Sequence, residues 1–206
     1  MLGSGGHAKV LAEAISLSGL TIKVVVSPSL EPLSAVFDNA IQHYDDNDVL
    51  SYSPNDVLLV NGIGSLPKND LRANIYSFYK LKGYSFLRVI HPSAIVSESA
   101  YLGEGVQIMA NSVINVDVSI GDNSIINTGS IIDHDSSIGQ NCHIAPGVTI
   151  SGGVKVLNDC HLGTGCTVIH SIEIGERTII GSGVAVNKNV AGNSIVYPAR
   201  NFVTER

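Results

Sequence analysis

At 206 residues the chain can hold one or two domains with a buried core. Its composition is 44% hydrophobic and 5% aromatic, with 21 Gly and no Trp, and suits a β-rich chain full of turns better than a helical bundle. A net charge of −6 and a pI near 5.5 leave no basic footprint, which argues against nucleic acid and anionic membrane as partners. No apolar run reaches the ~18 residues of a membrane span, and "MLGSGGHAK" has neither the charged nor the apolar region of a signal sequence, so a cytoplasmic location is expected.

In chain order, "GSGGHAK" (residues 3–9) is a Gly-rich turn leading into the helical period of "HAKVLAEAISLSG" (residues 7–19). At the first strand-to-helix junction of a βαβ pattern, the N–H groups and helix dipole of such a turn can hold a phosphate or sugar. "TIKVVVS" (21–27) reads as a strand and "QHYDDND" (42–48), with His43, as a solvated acidic loop. "NDVLLVNGIG" (55–64) reads as a strand running into a loop, "NDLRANIYSFYKLKG" (69–83) as a helix and "YSFLRVI" (84–90) as a strand. Strands alternating with helices imply a small parallel sheet over residues 1–90.

After His91-Pro92 the helical period gives way to a repeat of six. Cut from Ile95, the chain falls into sixteen blocks whose second residues, from Val96 to Val186, are all Val, Leu or Ile. The sixth residues are small or β-branched, and Cys142, Cys160 and Cys166 all fall there, which reads them as core residues and not as a disulfide framework or metal set. Such a repeat marks a parallel β-helix whose coils bury their apolar sides by stacking. Gly103, Gly121, Gly139 and Gly175 recur at multiples of eighteen, so three blocks make a triangular coil. Positions two and six face inward, position one faces outward on a flat side, and positions three to five turn the corner.

In "NTGSIIDHDSSIGQNCHIAPG" (127–147), His134 occupies a corner and His143 a face nine residues on, half a coil away. Within one chain they lie on opposite sides of the prism. They cooperate only if a neighbouring copy supplies one of them, most simply in a ring of three. A histidine titrating near neutrality suits the removal of a proton from an attacking amine or hydroxyl. Asp135 or Asp133 would orient its ring. A donor such as His143 or a backbone N–H would face a developing oxyanion. His161 and His170, one and two coils further along the same side and corner, read as interface or surface residues, and His91 as part of the first coil's start.

These motifs, with "GSGGHAKV", "HPSAIVSESAYLGEGVQIMANSVIN" and "YPAR", resemble over almost the whole chain the bacterial family of sialic acid O-acetyltransferases and UDP-4-amino-sugar N-acetyltransferases. The resemblance implies a Rossmann-like sugar- or nucleotide-sugar-binding domain over residues 1–90 and a left-handed β-helix acetyltransferase domain over 91–206, ending in a short tail. It also implies a cytoplasmic homotrimer that transfers acetyl from acetyl-CoA, without metal, to a sugar amine or hydroxyl in surface-glycan or nonulosonic acid synthesis. By the same resemblance His134 is the general base and Asp135 its acidic neighbour, with Asn127 and His143 coming from the adjacent subunit. His143, Gly152, Thr164, Gly181 and Ser182 would line the coenzyme groove, and Gly5, Gly6 and His7 would meet the nucleotide sugar. Adenine cannot stack on an indole here, because there is no Trp.

Two departures from the family stand out: only Met1 and Leu2 precede the Gly-rich turn, and "VVVSPSLEP" replaces the acidic pair near the nucleoside. The second turns the expectation away from a UDP-linked acceptor, toward a free sugar acid or another amino sugar. Two rivals use the same repeat. A zinc hydratase of the γ-carbonic anhydrase type would need two histidines five apart, and no pair here has that separation. A non-catalytic scaffold gives no reason for an outward histidine flanked by aspartates.

Overall fold

The computed structural model describes residues 1–29 and 33–198, so residues 30–32 of "VVVSPSLEP" and 199–200 of "YPAR" lie outside the described residues. The N-terminal unit is built on strands β1 (Val24–Val26), β2 (Ile41–His43), β3 (Leu58–Leu59) and β4 (Ser85–Phe86). β1 pairs in parallel with β2, and β3 with β4. Between these pairs Leu2 alone bridges Val26 on one side and Asn61 on the other. The spatial order is therefore β2, β1, Leu2, β3, β4, and the short first strand, a single bridge residue, lies at the sheet's centre.

Alternation along the strands feeds two cores. Met1, Val25 and Val60 pack with helix α1 (Gly6–Leu17), which buries Ala8, Leu11, Ala12 and Ile15 on one stripe. Leu2, Val26 and Leu59 pack on the other face with Tyr84, Phe86 and Tyr79 of helix α2 (Leu71–Leu81).

Two expectations change. The acidic stretch around His43 is largely exposed, as expected, but is not a plain loop: His43 ends β2, its Nε2 lies 2.8 Å from the Tyr52 hydroxyl, and Asp45 caps a 3-10 helix, Asp46–Ser51. Only three residues pair, and at the sheet's edge, so the neighbouring polar residues hid the strand. The strand expected over residues 84–90 is two strands. β4 closes the N-terminal sheet, whereas β5 (Val89–Ile90) pairs with Gln107–Ile108 and starts the β-helix just before His91.

From Ile95–Val96 to Ala185–Val186, sixteen two-residue strands follow one per block; with β5 before them and Ile195–Val196 after, they stack in parallel faces of seven, six and five strands. Partners are eighteen apart, as in Ile125↔His143↔His161, until Ile195–Val196 pairs sixteen residues beyond Ile179–Ile180. Position two is buried along the column, with Ile126, Ile144 and Ile180 all 0% exposed, and the three cysteines are free and buried in the same core. Each fully buried isoleucine contributes about 1.5–3 kcal/mol. At the corners Asn111, Asn123, Asp135, Asn141 and Asp159 take φ near +57°, a region these side chains tolerate.

Position one is not always open to solvent. Gln107 and Ile125, on the seven-stranded face, are 0% and 1% exposed. The N-terminal unit folds back over them: Met109 and Val89 join the α1 core, and Asn61 Nδ2 donates to Asn123 Oδ1 at 3.2 Å.

Candidate active site

His134 sits on the corner between the six- and five-stranded faces. The left-handed backbone of Asp135, at φ +58°, turns its carboxylate onto the ring, with Oδ2 2.7 Å from His134 Nδ1. Asp133 is otherwise engaged: its Oδ1 accepts from the His134 N–H and from Asn115 Nδ2, each at 2.9 Å, and its Oδ2 stands 3.9 Å from Nε2. Asp135 is therefore the orienting carboxylate. Its hydrogen bond and the charge of Asp133 hold the His134 pKa above the ordinary imidazole value. Nε2 is the ring nitrogen left to take a proton. One coil on, a Cβ at Gly152 would fall 2.6 Å from His134 Cε1, so this glycine is the floor under the His134 ring.

The other half of the expected site lies where the N-terminal unit covers the seven-stranded face. His143 Nδ1 is 3.1 Å from the carbonyl oxygen of Ser65, which can only accept, so Nδ1 carries the hydrogen. Its Nε2 is 3.1 Å from Asn127 Nδ2, and Asn127 Oδ1 accepts from Thr128 N at 2.8 Å, which fixes the amide's orientation. Burial, then the neighbouring His161, His7 and Arg72, lower the His143 pKa to about 3, against a smaller upward pull from the Ser65 bond. The ring is neutral and both nitrogens are occupied. Within this chain His143 therefore turns no free N–H outward.

His7 is likewise tied down. Gln107 donates Nε2 to the Asn61 carbonyl at 2.8 Å, so its Oε1 faces His7 Nε2, also at 2.8 Å, and the imidazole donates there. Burial lowers its pKa to about 4, so only the neutral Nδ1 is free to meet a sugar. Gly5 and Gly6 are exposed at the start of α1, no side chain caps that helix, and an added Cβ at either would meet nothing within 4 Å. Space remains there for a ligand. Thr164 and Ser182 are exposed two and three coils beyond Asn127 on the same corner. Gly181 beside them is part-covered, since a Cβ there would stand 2.9 Å from Pro198 Cδ.

The structure thus gathers the expected residues into two groups. His134, Asp135 and Gly152 share one corner. Asn127, Thr164, Gly181 and Ser182 share the next, with His143 on the adjoining face under the loop that carries Ser65. The six-stranded face lies between the groups, exposing Ile95 at 67% and Ile131 at 41%. His161 is half-buried, its ring edge-on to His143 at 4.8 Å, and His91 Nδ1 accepts from the Ser93 N–H at the first coil. Among the described residues no three His, Cys, Asp or Glu side chains group as metal ligands would.

Three participants escaped the sequence. Ser65 and Gln107 set the hydrogen positions of His143 and His7. Arg72, 4% exposed, donates Nη1 to the carbonyls of Asn61 and Ile63 at 2.9 and 2.7 Å and Nε to that of Asn123 at 3.2 Å, which fastens the loop after β3 to the coils. Burial lowers its pKa to about 9. Gln107 left no signal either, because it stands at an outward position of the repeat, in the column that also carries His143 and His161.

Residues 117–152 match the family described as bacterial transferase hexapeptide (six repeats), and 153–188 the hexapeptide repeat of succinyl-transferase. Perosamine N-acetyltransferase from Caulobacter crescentus, solved with CoA and GDP-perosamine, is 35% identical over 94% of this chain and 90% of that one, with a TM-score of 0.82. The chain belongs to the hexapeptide-repeat sugar N-acetyltransferases. Another structure, the PglB acetyltransferase domain from Neisseria gonorrhoeae with acetyl coenzyme A, superposes with a TM-score of 0.84 at 26% identity, over 98% of this chain and 97% of that one. UDP-N-acetylbacillosamine N-acetyltransferase from Bacillus subtilis is 35% identical over 114 residues, 53% of this chain; the match spans half the length of that curated relative. Membership of a hexapeptide-repeat family accounts for the repeat of six.

Proposed function

We propose that the protein transfers acetyl from acetyl-CoA to an amine on a nucleotide-linked sugar, at sites shared between the copies of a homotrimer. One observation carries this reading: two incomplete half-sites flank a single exposed face. If three copies turn their six-stranded faces toward a common axis, the corners bounding that face meet between neighbours. His134 of one copy then stands against Asn127 and His143 of the next. The names of the relatives, with their nucleotide sugars and CoA, support the amine acceptor and the coenzyme. The family supports a left-handed coil. The order β2, β1, Leu2, β3, β4 follows the first five strands of the dinucleotide-binding sheet, and this supports a Rossmann-like N-terminal domain with Gly5 and Gly6 at its phosphate turn.

In this scheme the amine nitrogen attacks the thioester carbonyl carbon and passes its proton to His134 Nε2. Asp135, holding Nδ1–H, offsets the imidazolium charge. Collapse of the tetrahedral intermediate breaks the C–S bond, and the departing thiolate takes the proton back as free CoA thiol. The acetyl group never rests on the enzyme, and the buried cysteines take no part. The coenzyme extends along the corner that carries Thr164, Gly181 and Ser182.

The test is CoA release on a panel of UDP-, GDP- and CMP-linked amino sugars beside free sialic acid. Turnover is expected only where an amine is present on a nucleotide sugar. Turnover confined to sialic acid, or none across the panel, would contradict the reading.

A further inference from the structure

The relay behind Asn127 carries a second inference, which rests on the acetyl-transfer reading. Four residues form a chain of forced donors and acceptors. The Ser65 carbonyl accepts, so His143 Nδ1 donates; the neutral ring leaves Nε2 as an acceptor, so Asn127 Nδ2 donates one of its two hydrogens; and Thr128 N–H holds the amide oxygen. The amide cannot rotate without breaking a bond at each end. Among the described residues no protein acceptor meets the second N–H of Asn127, which sits half-buried at the corner that borders the groove.

We propose that His143 is a positioning residue, and that the catalytic donor it positions is Asn127, whose free N–H binds the thioester oxygen as it becomes an oxyanion. The loop after β3, held to the coils by Arg72, thereby sets the acyl site through the Ser65 carbonyl. A preorganised amide N–H at the developing charge suits this task because it pays no reorganisation at the moment of reaction.

The proposal is tested with acetyl-CoA and GDP-perosamine, or whichever amino sugar of the panel is turned over, using His143→Ala, His143→Gln, Asn127→Ala and the double alanine variant. Removing one oxyanion donor costs about 10²–10³-fold in kcat, and misplacing it about 10²-fold. Each single alanine variant is expected in that range, with little change in KM for the sugar. The double variant should be no slower than Asn127→Ala alone, because His143 acts only through that amide. His143→Gln should recover much of the loss, since its side chain can accept from Asn127 and donate to Ser65. Multiplicative losses in the double variant would overturn the proposal. So would a His143→Gln variant that melts like wild type yet is as slow as His143→Ala.

A 15N spectrum of the histidine rings separates this inference from the functional reading. A neutral His143 with its hydrogen on Nδ1 at pH 7 supports the relay even if the acceptor sugar was chosen wrongly. A hydrogen on Nε2, or an imidazolium, overturns the relay even if the enzyme acetylates as expected.

Discussion

His134 and His143 lie nine residues apart in one repeat, and their surroundings make them different reagents. The first stands on an open corner with a carboxylate 2.7 Å from Nδ1, which raises its pKa. The second lies beneath the N-terminal unit, and burial drives its pKa to about 3. An exposed imidazole beside an anion is a proton acceptor that works near neutrality, whereas a buried one is a fixed, uncharged hydrogen-bonding piece. What covers the coil, more than the coil itself, decides the role.

Removing the exposed ring breaks the comparison most severely. His134→Ala should cut kcat by about 10²–10⁴-fold, the usual cost of losing a general base, and near-normal turnover in a CoA-release assay would refute its role. Gly152→Ala attacks the same ring indirectly. The new Cβ, 2.6 Å from Cε1, must push the imidazole off its floor, and about a 10²-fold loss in kcat is expected. If Gly152 served only the coenzyme, the loss would appear in the KM for acetyl-CoA instead.

The buried rings are sharpened by pH. His7 and His143 bind protons near pH 6.5 in the unfolded chain but only near 4 and 3 in the folded one. Between those limits the unfolded state binds more protons, so stability is greatest above about pH 6.5 and is lost as pH falls toward 4. The loss is on the order of 3 kcal/mol for each ring. Melting curves should show Tm dropping through that window; a flat profile would mean that the rings are not held neutral. The smallest effect is Asp135→Asn. Without the carboxylate the acid limb of kcat/KM should move to lower pH, and a limb that stays in place would separate Asp135 from the titration of His134.

The β-helix was legible because sixteen blocks repeat one inward pattern, so each coil reinforces the others. The contact between His134 and Asp135 was legible because neighbours in sequence must be neighbours in space. The cover was not. A hexapeptide repeat reports what points into the core and is silent on outward residues, so Gln107 and Ile125 looked like open surface. The bond from His143 to Ser65 spans 78 residues and that from His7 to Gln107 spans 100, and no local pattern signals such pairings. The helical period of residues 69–83 gives no sign of where Arg72 would bind. The three residues of β2 sat in an acidic stretch too short to show a period.

The most direct test mixes two disabled chains. His134→Ala and Asn127→Ala, co-expressed with different tags and purified as hybrids, should regain a measurable part of wild-type activity, because some interfaces in a mixed ring pair an intact His134 with an intact Asn127. Hybrids whose mixed composition is verified by mass spectrometry, yet which remain as inactive as either parent, would contradict a site built between copies.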